Sequence, residues 1–329
     1  MTKTDWRGRT VLVTGAAGFI GSHLVERLVA EGARIRALVR YTSMGSRGWL
    51  DRSPVAGDVE FVSSDIGDAG AVGRAMKGVD TVFHLAALIG IPYSYVAPDS
   101  YVRTNVEGTA VVLRAALEAN VRRVVHTSTS EVYGTALTVP ISEEHPLQTQ
   151  SPYAASKAGA DLLAWSYHRS FGLGVSIVRP FNTFGPRQST RAVIPTIITQ
   201  ALSGIEIKLG TVSPTRDFTY VLDTVEGFLR VADADTAVGS VVNIGSGEEI
   251  SIGDLARVIV ELTGSKAAVR LDAARERPAT SEVERLCADN TRARAIGWTP
   301  ARSLREGLTE TINWMKPNLG LFRAGDYGV

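Results

Sequence analysis

Tyr153 and Lys157 stand four residues apart in the run Ser151-Pro152-Tyr153-Ala154-Ala155-Ser156-Lys157. On a helix, positions i and i+4 share one face. The flanks favour a helix here, because Ser151 can cap it and Pro152 suits its first position. An ammonium beside a phenol favours the phenolate and lowers its pKa. A phenol tuned toward neutrality is a useful general base for an alcohol. Alone the pair is a weak signal, since Tyr-x-x-x-Lys arises by chance on many helix surfaces.

A second motif far upstream gives the pair its meaning. Gly15-Ala16-Ala17-Gly18-Phe19-Ile20-Gly21 follows the apolar run Val11–Thr14 and opens the helical pattern Ile20–Ala30. Gly15 permits a tight turn, Gly18 lets backbone N–H groups approach a pyrophosphate, and Gly21 lets helix and strand pack closely. The helix N-terminus favours the anion. The plain alternative is an ordinary Gly-rich turn, which the strand–turn–helix context argues against. This Gly spacing resembles the short-chain dehydrogenase/reductase superfamily, and Tyr153/Lys157 match its Tyr/Lys pair. The resemblance implies a nicotinamide dinucleotide whose ribose Lys157 grips. Asp65-Ile66 resembles the superfamily's adenine-contacting pair, and Leu85-Ala86-Ala87 its small-residue wall along the cofactor. An acid at the end of the second strand would bond the ribose 2′-OH of NAD. The run is instead Leu38-Val39-Arg40-Tyr41-Thr42-Ser43. Arg40 can pair with a 2′-phosphate, so the expected cofactor is NADP, with NAD as the alternative.

Thr129-Ser130-Glu131-Val132-Tyr133-Gly134 follows the strand candidate Arg123–Ser128. By resemblance Thr129 holds the substrate hydroxyl near Tyr153, with Ser128 as the neighbouring choice. Glu131 is the informative residue. An epimerase or simple alcohol dehydrogenase has no need of it, whereas a reaction that makes a ketone and then removes the adjacent C–H proton needs a base. Its bland reading is an exposed turn residue.

From Thr10 to about Met315 the chain resembles the extended short-chain dehydrogenases that modify nucleotide sugars. The strings HLAALIGIPYSYVAPDSYV, HTSTSEVYGTA, SPYAASKAGAD, RPFNTFGPRQS, RAVIPTIITQ, SPTRDFTYV and SEVERL carry the resemblance. They look most like the nucleotide-linked N-acetylglucosamine 4,6-dehydratases of legionaminic acid synthesis. The GDP-mannose and dTDP-glucose 4,6-dehydratases look like more distant relatives. The resemblance implies that Tyr153 takes the O4 proton as C4 hydride leaves, that Glu131 removes the C5 proton, and that water departs from C6. The hydride then returns to C6, so the cofactor stays tightly held and is recycled. Ser130 stands where dTDP-glucose dehydratases have Asp, and a Ser is a much poorer acid. Asn182, Arg187, Arg216 and Arg277 are the implied contacts to the nucleotide diphosphate, with Lys208 and Arg191 as weaker options. Arg is suited to phosphate by its planar fork. Arg277-Pro278-Ala279-Thr280 lacks the Asp two after Pro that many relatives carry. The rivals are a UDP-glucuronate decarboxylase, a 4-epimerase and a non-catalytic nucleotide sensor. Decarboxylases usually have Arg three before the Tyr, where this chain has Gln150.

These residues need a scaffold, and the pattern around them supplies one. Strand and helix candidates alternate through the first half: Val11–Thr14, Ile20–Ala30, Ile35–Val39, Val59–Ser63, Ala69–Met76, Asp80–Leu85, Ser100–Ala119, Arg123–Ser128, Pro152–Phe171 and Gly174–Val178. Such alternation predicts an α/β Rossmann-type doubly wound parallel sheet, with a smaller C-terminal α/β substrate lobe. Residues 1–182 would form the dinucleotide-binding domain, with returning segments about 216–248. Residues 183–215 and 249–329 would form the lobe. Phe218–Ala232 and Val241–Leu262 read as late additions to the sheet, 265–300 as irregular, and Leu304–Met315 as a closing helix. The helices at 100–119 and 152–171 are apolar nearly all round, which asks for partners on two sides and predicts a homodimer through them.

Composition closes off other classes. The 329 residues carry 35 Lys plus Arg and 34 Asp plus Glu, a net +1. That balance predicts no nucleic-acid partner. No run approaches the roughly 20 apolar residues of a membrane span, and the N-terminal residues lack the apolar core of a signal peptide, so a cytoplasmic location is expected. One cysteine, Cys287, can make no internal disulfide. The five His residues (23, 84, 126, 145 and 168) lack metal-ligand spacing, so no metal is expected and all five read as structural.

Overall fold

A computed structural model describes residues 5–204, 206–275 and 278–322. The first half runs β1 (Thr10–Thr14), α1 (Phe19–Ala30), β2 (Arg34–Val39), β3 (Val59–Ser63), α2 (Ala69–Met76), β4 (Thr81–His84), α3 (Ile91–Val96), α4 (Pro98–Tyr101), α5 (Gly108–Glu118), β5 (Arg123–Thr127), α6 (Pro152–Phe171) and β6 (Val175–Pro180). There follow β7 (Asn182–Phe184), α7 (Val193–Leu202), β8 (Ile207–Leu209), β9 (Thr215–Tyr220), α8 (Val221–Asp233), β10 (Val241–Ile244), β11 (Glu249–Ser251), α9 (Ile252–Thr263), β12 (Val269–Leu271), β13 (Arg285–Leu286), α10 (Thr291–Ala295) and α11 (Leu304–Met315).

Seven strands form one parallel sheet in the order β3-β2-β1-β4-β5-β6-β10. The fold is the Rossmann-type α/β architecture expected. On one face α1 and α8 pack over a core that includes Leu24, Leu28, Phe83, Phe228 and Trp298. On the other, α2, α5 and α6 cover Leu12, Val82, Val112, Leu113 and Val124. Fully burying one such aliphatic or aromatic side chain is worth about 1.5–3 kcal/mol. Strand order reverses between β1 and β4, and ligands of open α/β sheets bind beyond the strand C-termini at such a point. Both expected cofactor loops leave the sheet there.

A smaller apolar core holds the C-terminal elements. Ile194, Ile197 and Ile198 of α7 meet Leu255 and Ile259 of α9 and Leu308 and Ile312 of α11. Three sequence expectations change. The Phe218 segment does not extend the large sheet. Its strand β9 instead pairs with β7, β11 and β13 in a separate small sheet, while the helix after it, α8, returns to the large one. Periodicity identifies a strand but not its partners. The helix expected over Ser100–Ala119 is interrupted by a π turn at Val102–Glu107. Within 265–300, expected to be irregular, lie the short β12, β13 and α10.

Candidate active site

The Gly loop between β1 and α1 is built as its spacing predicts. Gly15 has φ +69°, a region L side chains rarely adopt. A Cβ there would lie 2.8 Å from the Ala86 nitrogen, and one on Gly21 would run into the Gly15 carbonyl oxygen. The turn therefore presses against Leu85-Ala86-Ala87 at the end of β4, and Ala86 N–H donates to Thr14 Oγ1 at 3.1 Å. No side chain caps the α1 N-terminus at Gly18. These features fit a dinucleotide pyrophosphate: free helix N–H groups, glycines where bulk would intrude, and a small-residue wall. Phe19 and Ile20 begin α1 and also pack against the lobe core. Ile66 is buried under Gly108, whereas Asp65 is exposed and takes the Gly67 N–H at 2.8 Å. Arg40 is exposed at the end of β2.

Helix α6 delivers the acid–base pair. Ser151 Oγ accepts the Ala154 N–H at 3.1 Å, Pro152 starts the helix, and Gly172 ends it in the left-handed region at φ +71°. Tyr153 and Lys157 are 8 % and 4 % exposed. The Tyr153 ring packs edge-on against Tyr101, with centroids 6.2 Å apart. Thr129 caps the 3-10 turn Ser130–Tyr133 and hydrogen-bonds the Tyr153 hydroxyl. The Glu131 charge acts on the same phenol. Ser130 is buried beside it. Ser128, the neighbouring choice to Thr129, donates to Asp161 at 2.7 Å instead.

The electrostatics correct one expectation. The Tyr153 phenol lies above its ordinary pKa, not below it. Burial is the largest cause; the Thr129 hydrogen bond pulls the other way, and the Glu131 charge adds to the rise. Lys157 is itself lowered to about 8 by burial, partly offset by the Asp161 charge. The i, i+4 spacing alone does not outweigh this desolvation.

The expected diphosphate contacts are differently engaged. Asn182 opens β7, and its Oδ1 is buried with no hydrogen-bond partner among the described residues. Arg187 pairs with Glu26 of α1 at 2.8 Å and donates to Ser22 at 3.1 Å. Arg216, nearly buried, pairs with Glu282 at 3.0 Å. Arg191 is exposed, its charge acting on Tyr101, and Lys208 is exposed on β8. Arg277 lies outside the described residues.

A family model described as GDP-mannose 4,6 dehydratase matches residues 12–311. The chain belongs to that family of nucleotide-sugar-modifying short-chain dehydrogenases. A dTDP-glucose 4,6-dehydratase of Actinoplanes sp. is 36 % identical over 94 % of this chain and 98 % of its own length. A UDP-glucose 4-epimerase of Mycolicibacterium smegmatis is 37 % identical over 93 % and 98 %. The crystal structure of a dTDP-glucose 4,6-dehydratase from Streptomyces venezuelae, with NAD bound, superposes with a TM-score of 0.89 at 36 % identity. It covers 95 % of this chain and 99 % of that one.

In this family member Asn105 and Asp161 escaped the sequence reading, and Gln150 entered it only as a mark against a decarboxylase. Asn105, in the π turn, bonds both backbone groups of Leu88 (2.8 and 2.9 Å) and Ser156 Oγ (2.9 Å), tying the loop after β4 to α6. Gln150 accepts from Thr135 N–H at 2.7 Å and donates to the Thr280 carbonyl at 3.1 Å. Asp161 follows Lys157 by four residues, so its place on the same face was legible from spacing. All five His side chains make structural contacts: His84 with Thr14 and Thr109, His23 with the Pro186 carbonyl, His145 with Leu137 N–H, His168 with the Leu173 carbonyl, and His126 with Asp161. Cys287 is buried, and burial lifts its thiol to about 11.

Proposed function

We propose that the chain is a nucleotide-sugar 4,6-dehydratase acting on an N-acetylhexosamine nucleotide such as UDP- or GDP-N-acetylglucosamine. The observation that carries the dehydratase reading is Glu131 held beside the Thr129–Tyr153–Lys157 cluster. A bound nicotinamide supplies the oxidation at C4 and the later reduction at C6. Around it the chain's own residues manage protons. Thr129 holds the O4 hydroxyl, the Lys157 ammonium stabilises Tyr153 as the phenolate, and that phenolate takes the hydroxyl proton and becomes a phenol. Glu131 removes the C5 proton that the 4-ketone acidifies, and the C6 hydroxyl leaves as water. Ser130 is too weak an acid to donate there, which leaves Glu131 or a water for that proton. The N-acetyl preference rests on the resemblance of the site strings. Curated relatives in both dehydratase and epimerase classes make the reaction type the point to test.

Gln150 is a neutral amide committed to Thr135 and Thr280, which counts against a decarboxylase. We assign the cofactor as NADP on the exposed Arg40 and the absence of an acid at the end of β2, with NAD as the alternative. We assign diphosphate binding to Arg187 and Arg277, in the lobe of 183–215 and 249–329, and to Asn182 and Arg216, which border it. A homodimer through α5 and α6 accounts for the outer face, where Leu162 is 59 % and Trp165 40 % exposed. A cytoplasmic enzyme is the reading that suits this substrate class. Among the described residues no helix is long and apolar enough to cross a membrane.

The test is product mass after incubation with UDP- and GDP-N-acetylglucosamine, GDP-mannose, dTDP-glucose and UDP-glucuronate. Loss of one water from an N-acetylhexosamine nucleotide is the expected result. Unchanged mass with inverted C4, or loss of carbon dioxide from the glucuronate, would overturn it.

A further inference from the structure

The turn that carries Thr129, Ser130 and Glu131 is fastened at both ends to one buried ion pair. At its entry, Ser128 N–H donates to the Val178 carbonyl at 2.7 Å, which sets Ser128 beside Arg179 of β6. Asn243 of β10 is the register partner of Arg179, so both side chains leave the same face of the sheet. Asp161 of α6 meets that face. Arg179 and Asp161 are 5 % and 3 % exposed. Arg179 Nη2 and Nε donate to Asp161 Oδ2 at 3.0 and 3.2 Å, and Ser128 Oγ donates to the same oxygen at 2.7 Å. Asp161 Oδ1 faces His126 Nε2 at 3.3 Å. At the exit of the turn, Arg179 Nη1 donates to the Tyr133 hydroxyl at 3.0 Å, and the guanidinium sits over the Tyr133 ring. That hydroxyl donates its own proton to Asn243 Oδ1 at 2.8 Å, and Asn243 Nδ2 donates to the Ile141 carbonyl at 3.0 Å.

We propose that Arg179, paired with Asp161, is a positioning residue: by holding Ser128 and Tyr133 it sets where Thr129 and Glu131 stand against Tyr153. The inference rests on the roles given above to Thr129 and Glu131. The geometry calls for an Arg. Three N–H groups of one planar fork reach a carboxylate and a phenol at once, and an ammonium on a flexible stem cannot fix both. Between its anchors the turn holds its own shape. Glu131 N–H donates to Thr129 Oγ1 at 3.3 Å, and the Glu131 carbonyl accepts the Gly134 N–H at 3.2 Å. The Glu131 carboxylate therefore stands where the turn puts it. Misplacing a reacting group by about 1 Å can cost about 10²-fold in rate. Because α6 carries both Asp161 and Tyr153, the same pair ties the turn to the helix that delivers the phenol. The entry anchor adjoins Thr129 and the exit anchor lies near Glu131, so loosening each end should be felt in a different step.

The test uses the full chain with its nicotinamide dinucleotide and UDP- or GDP-N-acetylglucosamine. Arg179→Ala would leave Asp161 buried without its cation and endanger the fold. Ser128→Ala and Tyr133→Phe each cut one anchor and leave the ion pair in place. In single turnovers, Tyr133→Phe should slow C5 deuterium exchange about tenfold or more relative to C4 oxidation. Ser128→Ala should slow the oxidation itself, with exchange per ketone formed unchanged. Arg179→Lys, which keeps a cation against Asp161 but loses the fork, should slow both steps. Val225→Ala, in the core on the other face of the sheet, serves as the control for lost stability and should alter neither ratio. Amide hydrogen exchange of residues 129–134, which needs no sugar, should quicken in both anchor variants and not in the control. An unchanged exchange rate of the turn in either anchor variant overturns the proposal. So does a Tyr133→Phe defect shared equally by the two steps, or an Arg179→Lys chain with both steps intact. Should the turn loosen as expected while the unmodified chain dehydrates no nucleotide sugar, the anchoring stands and the dehydratase reading falls.

Discussion

At the scale of single residues, the proposed chemistry divides between two groups that can be separated by experiment. Removing a positioned general base costs about 10²–10⁴-fold in rate. Tyr153→Phe should therefore lose activity by that factor in steady-state assays while its circular dichroism stays unchanged. Glu131→Gln should behave differently. Oxidation at C4, read as the rise in nicotinamide absorbance, should survive, while exchange of the C5 proton with deuterated solvent stops. Normal exchange in that variant would remove Glu131 from its role. These side chains were legible because their spacing is local: Tyr153 and Lys157 share a helix, and Thr129 and Glu131 share a turn. The Arg residues were not legible in the same way. Whether Arg187 meets Glu26 or Arg216 meets Glu282 depends on contacts across 161 and 66 positions of chain, which no local pattern encodes.

At the scale of elements, α6 and the Gly loop are the parts whose local rules decide function. The bounds of α2, α6 and α11 agree with the sequence reading, because each has a clear start or stop signal. For α6 these are Ser151, Pro152 and Gly172. Ser151→Ala should cost about 1 kcal/mol in chemical denaturation and lower turnover more than that loss of stability explains, since Tyr153 sits in the first turn. Gly21→Ala places a methyl against the Gly15 carbonyl. It should weaken dinucleotide binding in calorimetry far more than Gly73→Ala, whose added methyl meets open space. The π turn at Val102–Glu107 was hidden from the apolar pattern. It is stabilised by tertiary contacts, among them Asn105 reaching Leu88 and Ser156, and not by a distinct local signal.

At the scale of the whole molecule, three buried imidazoles tie stability to pH. Burial pushes His23 from 6.5 to about 4 and lowers His84 and His126 as well. Each binds its proton more readily when unfolded, so the stability it lends is full above pH 6.5 and lost as pH falls toward the folded value. Thermal midpoints should fall between pH 6.5 and 4, and His23→Gln should flatten part of that slope. A midpoint flat over this range would contradict the buried neutral assignment. The outer face of α6 makes a separate prediction: Leu162→Glu with Trp165→Arg should yield a monomer in sedimentation experiments. The order of the large sheet has a consequence for synthesis on the ribosome. Its last strand, β10, follows 60 residues after β6 ends, with β7 to β9 and α8 between. Until Ile244 has emerged, β6 is a nascent edge with unpaired N–H and C=O groups. A chain stalled after Phe184 would contain the whole Gly loop and the Tyr153–Lys157 pair, yet would be a substrate for chaperones and proteases before it could be an enzyme.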